Sequence, residues 1–155
     1  EVGNVSLDKR CAGFNDGLKE SGGKSSVVAA TMDPTDVTRR VEAYLSANPG
    51  VTGVLALGPT VATPILQLFK DRGTLANYKI GSFDLSPQLL DAVSDGSAMF
   101  AIDNQQFMMG YLPVVFLANK AMYKTFPASA VRTGPSFILQ KDAAAVRDLS
   151  KEGMR

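Results

Sequence analysis

"KIGSFDLSPQLLDAVSDG", Lys79 to Gly96, is the stretch that decides the fold. The run Tyr78–Phe83 is short and apolar and reads as a buried strand. Ser86 suits a helix cap, Pro87 suits the first helical position, and Gly96 suits the helix end. A strand passing into a helix over so few residues is half of a βαβ unit. One acid, Asp84, stands at the joint. Two roles are open to it. It can be a helix-start acid favoured by the helix dipole, or a carboxylate that accepts hydrogen bonds from ligand hydroxyls. Ser86 already supplies the cap, so the first role leaves part of the pattern unexplained.

The same pattern repeats on both sides. Leu7, Cys11, Phe14 and Leu18 fall on one helical face, with Cys11 read as core filler. "SVVAA", Ser26 to Ala30, reads as a strand. Asp33, Pro34 and Asp36 open a helix lined by Val37, Val41, Tyr44 and Leu45, and "NPG" at Asn48–Gly50 stops it. Val51–Gly58 is the next strand, followed by a helix from about Thr60–Pro64 to Asp71. A strand at Ala98–Ile102 precedes a helix over Phe107–Lys120 that contains Pro113. "SFILQ" and "KDAAAVRDLSKEG" give a last strand and helix. Short apolar strands alternating with helices predict an α/β fold, a three-layer α-β-α sandwich on a mostly parallel, doubly wound sheet. Ligands of such sheets bind outside the carboxyl ends of the strands. Met32-Asp33, Gly58-Pro59, Asp84 and Asp103-Asn104 are each expected just past a strand, hence along one sheet edge. The chain opens on a loop and a helix with no strand to feed them. Residues 1–155 are therefore expected to form a single lobe of a longer protein.

Composition narrows the function. With 45% hydrophobic and 20% charged residues the chain can bury an ordinary core. A net charge of +1 gives no basic footprint for nucleic acid, and Arg39-Arg40 reads as a solvated helix face. There is no histidine and one cysteine, so Ser-His-Asp, Cys-His and the common zinc constellations are excluded. "GPT" at Gly58–Thr60 lacks the glycine and lysine spacing of a phosphate loop. Asp33 and Asp103 are isolated, so no acid cluster accompanies Asp84 to hold magnesium. No cofactor, metal or catalysis is expected. "FMMGYLPVVF", Phe107 to Phe116, reads as a helix buried against the sheet, with an interface as the other reading. What remains are polar side chains near strand ends. Arg10 is a forked donor, Asn104 pairs a donor with an acceptor, and Gln105 and Gln106 add amides, at least one of them solvent-facing.

Four stretches carry a resemblance. "LDKRCAGFNDGL" from Leu7, "YLSANPGVTGVLALG" from Tyr44, and "KIGSFDLSPQLLDAVSDGSAMFAIDNQQFMMGY" from Lys79 resemble the second, C-terminal lobe of type I periplasmic sugar-binding proteins. "TGPSFILQKDAAAV" from Thr133 resembles their last hinge strand and the helix after it. The ribose- and autoinducer-binding proteins share these features, as do the effector domains of lactose-repressor-type regulators.

The resemblance implies that Arg10 and Asp84 contact ligand. It sets Asn104 where a glutamine is usual, and Met32 where some members place an aromatic residue. Gly58-Pro59-Thr60 stands where the ribose binder has Asn-Asp, so Gly58 and Pro59 would offer backbone and shape alone. The implied function is solute binding for an ABC-type carbohydrate importer, with no bond broken. The implied partners are a sugar or polyol, an N-terminal lobe absent from this chain, and a membrane permease, with no direct contact to nucleic acid. The implied location is the periplasm, or the outer face of a Gram-positive cell through a lipid anchor. The alternative is the effector domain of a transcription regulator using the same pocket. An enzyme ranks last, because no nucleophile–base pair is present.

Overall fold

Helix starts follow acceptors and prolines along the chain. The computed structural model describes residues 3–155, and these fall into two compact units that divide after Ile80. In the first unit Asn4 caps α1 (Val5–Glu20), its side-chain oxygen accepting from the amides of Ser6 at 3.1 Å and Leu7 at 3.4 Å. Asp33 caps α2 (Pro34–Ala47) through the Thr35 amide at 2.8 Å, with Pro34 behind it. Pro59 opens α3 (Pro59–Asp71). α2 packs on α3 and buries Val37 and Val41, while α3 buries Ala62, Ile65, Leu66 and Phe69. Phe69 stacks on Tyr78 with ring centroids 4.4 Å apart. β1 (Gly53–Ala56) lies in this unit, and the Lys79 amide donates to the Thr52 carbonyl at 2.9 Å as β2 (Lys79–Phe83) begins.

Two expectations fail in this unit. Ser26–Ala30 forms no strand: the residues are β-branched and small, but no ladder forms on them, and Val27 is 70% exposed. Composition favours an extended chain, and only a hydrogen-bonded neighbour makes that chain a strand. Cys11 is not core filler either. It is half-buried on a helix that buries none of its residues.

The second unit begins at Gly81. The end of β2 pairs in parallel with β3 (Phe100–Asp103), in the register Gly81 to Phe100 and Phe83 to Ile102. β4 (Ser136–Ile138) pairs antiparallel with β3, setting Ser136 beside Asp103. The strand order is β1-β2-β3-β4, and the architecture is mixed α/β with a mostly parallel open sheet. α4 (Pro87–Ser94), capped by Ser86 through the Leu89 amide at 3.1 Å, packs on β3 and on α6 (Gln140–Lys151). Leu89, Leu90 and Val93 are fully buried there, with Ala101, Ile138, Ala143 and Val146. Each large apolar side chain so buried contributes roughly 1.5–3 kcal/mol. Arg147 of α6 meets Asp91 of α4 at 2.9 Å, with both side chains well exposed, so the pair adds at most about 1 kcal/mol.

α5 (Gln106–Tyr123) corrects a third expectation. It is apolar enough to suggest a helix buried against the sheet, yet it buries no residue. Met109, Tyr111, Val114 and Leu117 are all more than half exposed. Hydrophobicity signals that a face needs cover but does not say which element provides it.

Candidate functional site

The site in the second unit is built on the ends of two neighbouring parallel strands. Asp84 follows β2 directly, and its amide prolongs the ladder by donating to the Ile102 carbonyl at 2.8 Å. Its φ is +60°, in the left-handed region. Asp and Asn are the side-chain-bearing residues that tolerate this best. The turn stops β2 and lets Ser86 and Pro87 open α4.

Asn104 follows β3 directly, and its Nδ2 donates to Asp84 Oδ1 at 2.8 Å. Gln106, the first residue of α5, donates from Nε2 to the same oxygen at 2.9 Å. Between them Gln105 is also left-handed, at φ +58°. Two amides flanking one reversed residue thus converge on one carboxylate oxygen. A carboxylate only accepts, whereas each amide carries a second N–H and a carbonyl oxygen beyond the bond it makes here. Acceptors next to groups that both donate and accept form the complement of a vicinal hydroxyl pair, in which each hydroxyl donates once and accepts once or twice.

Asp103 departs from the expectation of an acid just past a strand end. It is the last residue of β3 and fully buried, and its Oδ1 accepts from the Gln105 amide at 2.7 Å. Gln106 is the site residue that the sequence reading underrated. Its solvent exposure matches the pattern, but only the reversal at Gln105 turns its amide toward Asp84, and no side-chain periodicity encodes that reversal.

The first unit holds the other candidates. Arg10 Nη1 donates to the Leu57 carbonyl at 2.8 Å, which brings the guanidinium of α1 to the chain just before Gly58. Gly58 is extended, its carbonyl accepts from Val61 and Ala62, and a Cβ there would meet nothing within 4 Å. Pro59 opens α3 with no side-chain cap before it. Met32 is 56% exposed, immediately before the Asp33 cap. Its neighbour Thr31 is fixed by Asp36, whose Oδ2 accepts from the Thr31 amide at 3.0 Å and hydroxyl at 3.1 Å. Arg40, then the Thr31 amide and Arg39, hold the Asp36 carboxyl well below the usual carboxylate range.

The family described as periplasmic binding protein domain matches residues 1–125. The xylose/arabinose-binding protein XylF of Sulfolobus acidocaldarius is 27% identical over 119 residues, covering 72% of this chain and 29% of that protein. A carbohydrate transporter from Acidothermus cellulolyticus, solved in complex with myo-inositol, superposes with a TM-score of 0.85 at 30% identity, over 100% of this chain and 54% of the other. An ABC sugar transporter (periplasmic sugar binding protein) from Legionella pneumophila gives 0.74 at 26% identity, over 82% and 48%. The chain thus spans about half the length of these solved structures and less than a third of the curated relative.

Proposed function

This chain belongs to the periplasmic binding protein domain family, and on that premise we propose that it is the sugar- or polyol-binding lobe of a solute-binding protein serving an ABC-type carbohydrate importer. The observation that carries the reading is the single carboxylate oxygen of Asp84 held by the amides of Asn104 and Gln106. An uncharged polyhydroxylated ligand needs acceptors and donors fixed in advance, because each bond it makes replaces one to water and gains only about 0.5–1.5 kcal/mol net. Asp84 accepts hydrogen bonds from ligand hydroxyls, and Asn104 and Gln106 donate and accept beside it. Arg10, Met32, Gly58 and Pro59 are further ligand contacts in this reading. Arg10 is a donor, Met32 an apolar wall, and Gly58 with Pro59 a backbone surface.

The ligand is held without chemistry. A second, N-terminal lobe supplies the remaining contacts, and closure of the two lobes is the signal that a membrane permease reads. The exposed apolar residues of α5, Tyr111, Val114 and Leu117 among them, are the surface this reading offers to such a lobe. The protein then works in the periplasm, or outside the membrane on a lipid anchor.

The test is titration calorimetry of the two-lobe protein with myo-inositol, D-xylose and L-arabinose, the ligand being recovered afterwards. The expected result is saturable binding of at least one, with the ligand returned unchanged. Absence of binding by all three and by a wider polyol panel, or conversion of the ligand, would overturn the reading.

A further inference from the structure

We infer that Asp103 is the positioning residue of this site: its buried carboxylate locks the reversed turn that aims Asn104 and Gln106 at Asp84. The inference rests on the sugar-binding reading and goes beyond it, to what holds the amides in place. Asp103 is 0% exposed, which is costly for a carboxylate unless the group is paired or bonded. Its Oδ1 takes the Gln105 amide at 2.7 Å, the shortest bond in the turn and one made to the left-handed residue itself. Its Oδ2 has no hydrogen-bond partner among the described residues and lies 3.5 Å from Arg155 Nε, a charge contact without bonding geometry. The turn-fixing bond is therefore the specific one.

A second element closes on the same turn. Thr133 Oγ1 donates to the Asn104 carbonyl at 3.0 Å. At Gly134 a Cβ would come within 2.9 Å of the Asp103 carbonyl and 3.1 Å of Asn104 Cα, so only glycine allows this approach. The Asn104–Gln106 turn is thus gripped by the Asp103 side chain, the Thr133 hydroxyl and the close backbone of Gly134. With the reversal at Gln105 released, Asn104 and Gln106 have no reason to share one oxygen. Rigid support of this kind separates a site that is present from one that binds.

The test compares Asp103→Ala with Asp103→Asn in the two-lobe protein, with myo-inositol as the probe in calorimetry. Asn keeps an acceptor for the Gln105 amide and loses the charge. The expected result is a loss of about 10- to 100-fold in affinity for Ala and a loss within about threefold for Asn, consistent with the cost of second-layer substitutions. The side-chain amide resonances of Asn104 and Gln106 in nuclear magnetic resonance should broaden in the Ala variant and hold in the Asn variant. Lower melting temperature with unchanged affinity and unchanged amide resonances would overturn the inference, and so would an Asn variant as impaired as Ala. If Asp103→Ala does not fold, Thr133→Val carries the test. It should shift the Asn104 resonances and weaken binding, and Asp103→Leu, which keeps the bulk and lacks the acceptor, should do the same; silence in both variants would refute the positioning role. The resonances are read without ligand, so failure of the wild type to bind counts against the sugar reading and leaves the positioning role to be decided by the resonances.

Discussion

Replacing Asp84 by Asn is the sharpest perturbation of the site. The backbone should tolerate it, because Asn ranks with Asp among side-chain-bearing residues at φ near +60°, the value seen here. The Asn oxygen can take the place of Oδ1 and keep the amides of Asn104 and Gln106, which donate at 2.8 and 2.9 Å. Its amino group then replaces Oδ2, so an acceptor becomes a donor and the charge is gone. A hydrogen bond to a charged group is worth about 1.5–3 kcal/mol, and in the proposed reading a ligand hydroxyl that meets a donor at this carboxylate loses most of one such bond. A net loss of about 2–3 kcal/mol corresponds to roughly 30- to 150-fold in affinity. Asp84→Ala should bind no better and should also be less stable, because alanine lacks the side-chain bonding that makes the left-handed region tolerable, at roughly 1–2 kcal/mol. Calorimetry with myo-inositol and a thermal melt separate the two effects. Asn should lower affinity with the melting temperature held, and Ala should lower both. An Asp84→Asn variant that binds within twofold of the wild type would refute the reasoning and leave Asp84 as a turn residue only.

Three further outcomes are expected. Leu90→Ala empties a fully buried position of α4 and should cost about 2–5 kcal/mol in urea unfolding; a loss under 1 kcal/mol would mean that the α4–α6 core collapses around the gap. Gly81→Ala drives a Cβ into the Phe100 ring and should cost about 1–3 kcal/mol, unless an unchanged unfolding midpoint shows that the ring swings clear freely. Asp36 has a folded-state pKa depressed chiefly by Arg40, so its contribution is fully present above the unfolded value near 4 and is lost as pH falls through and below it. The melting-temperature gap between wild type and Asp36→Asn should therefore be largest at pH 6 and shrink toward pH 2, and a gap that stays constant would remove Asp36 from the acid response.

Capping chemistry was the most legible part of the chain. Asp33, Ser86, Pro34 and Pro87 mark helix starts by local bonding and fixed φ, and local rules need no tertiary information. Asp84 and Asn104 could be placed beyond strand ends for the same reason, since element order alone puts them there. β3 runs to Asp103 rather than stopping at Ile102, because its end is set by pairing with Ser136, a residue 33 positions away. Gln106 was hidden by a single dihedral at Gln105. Ser26–Ala30 and α5 were misread for one shared reason. Composition reports the need for a neighbour, whether a strand or an apolar cover, and is silent on whether that neighbour is present.

The exposure of α5 gives the protein a set of chemical reporters. Of the six methionines, five are exposed, and two of these, Met109 at 56% and Met122 at 62%, ride on that helix, while Met32 belongs to the first unit, just before α2. Thioether oxidation follows solvent access and adds one oxygen atom, which a mass spectrometer reads residue by residue. Protection of Met109 and Met122 would record a lobe settling on α5, and protection of Met32 would record a ligand against its thioether. A single footprint would thus distinguish assembly of the protein from loading of its site, without labels and without altering a residue.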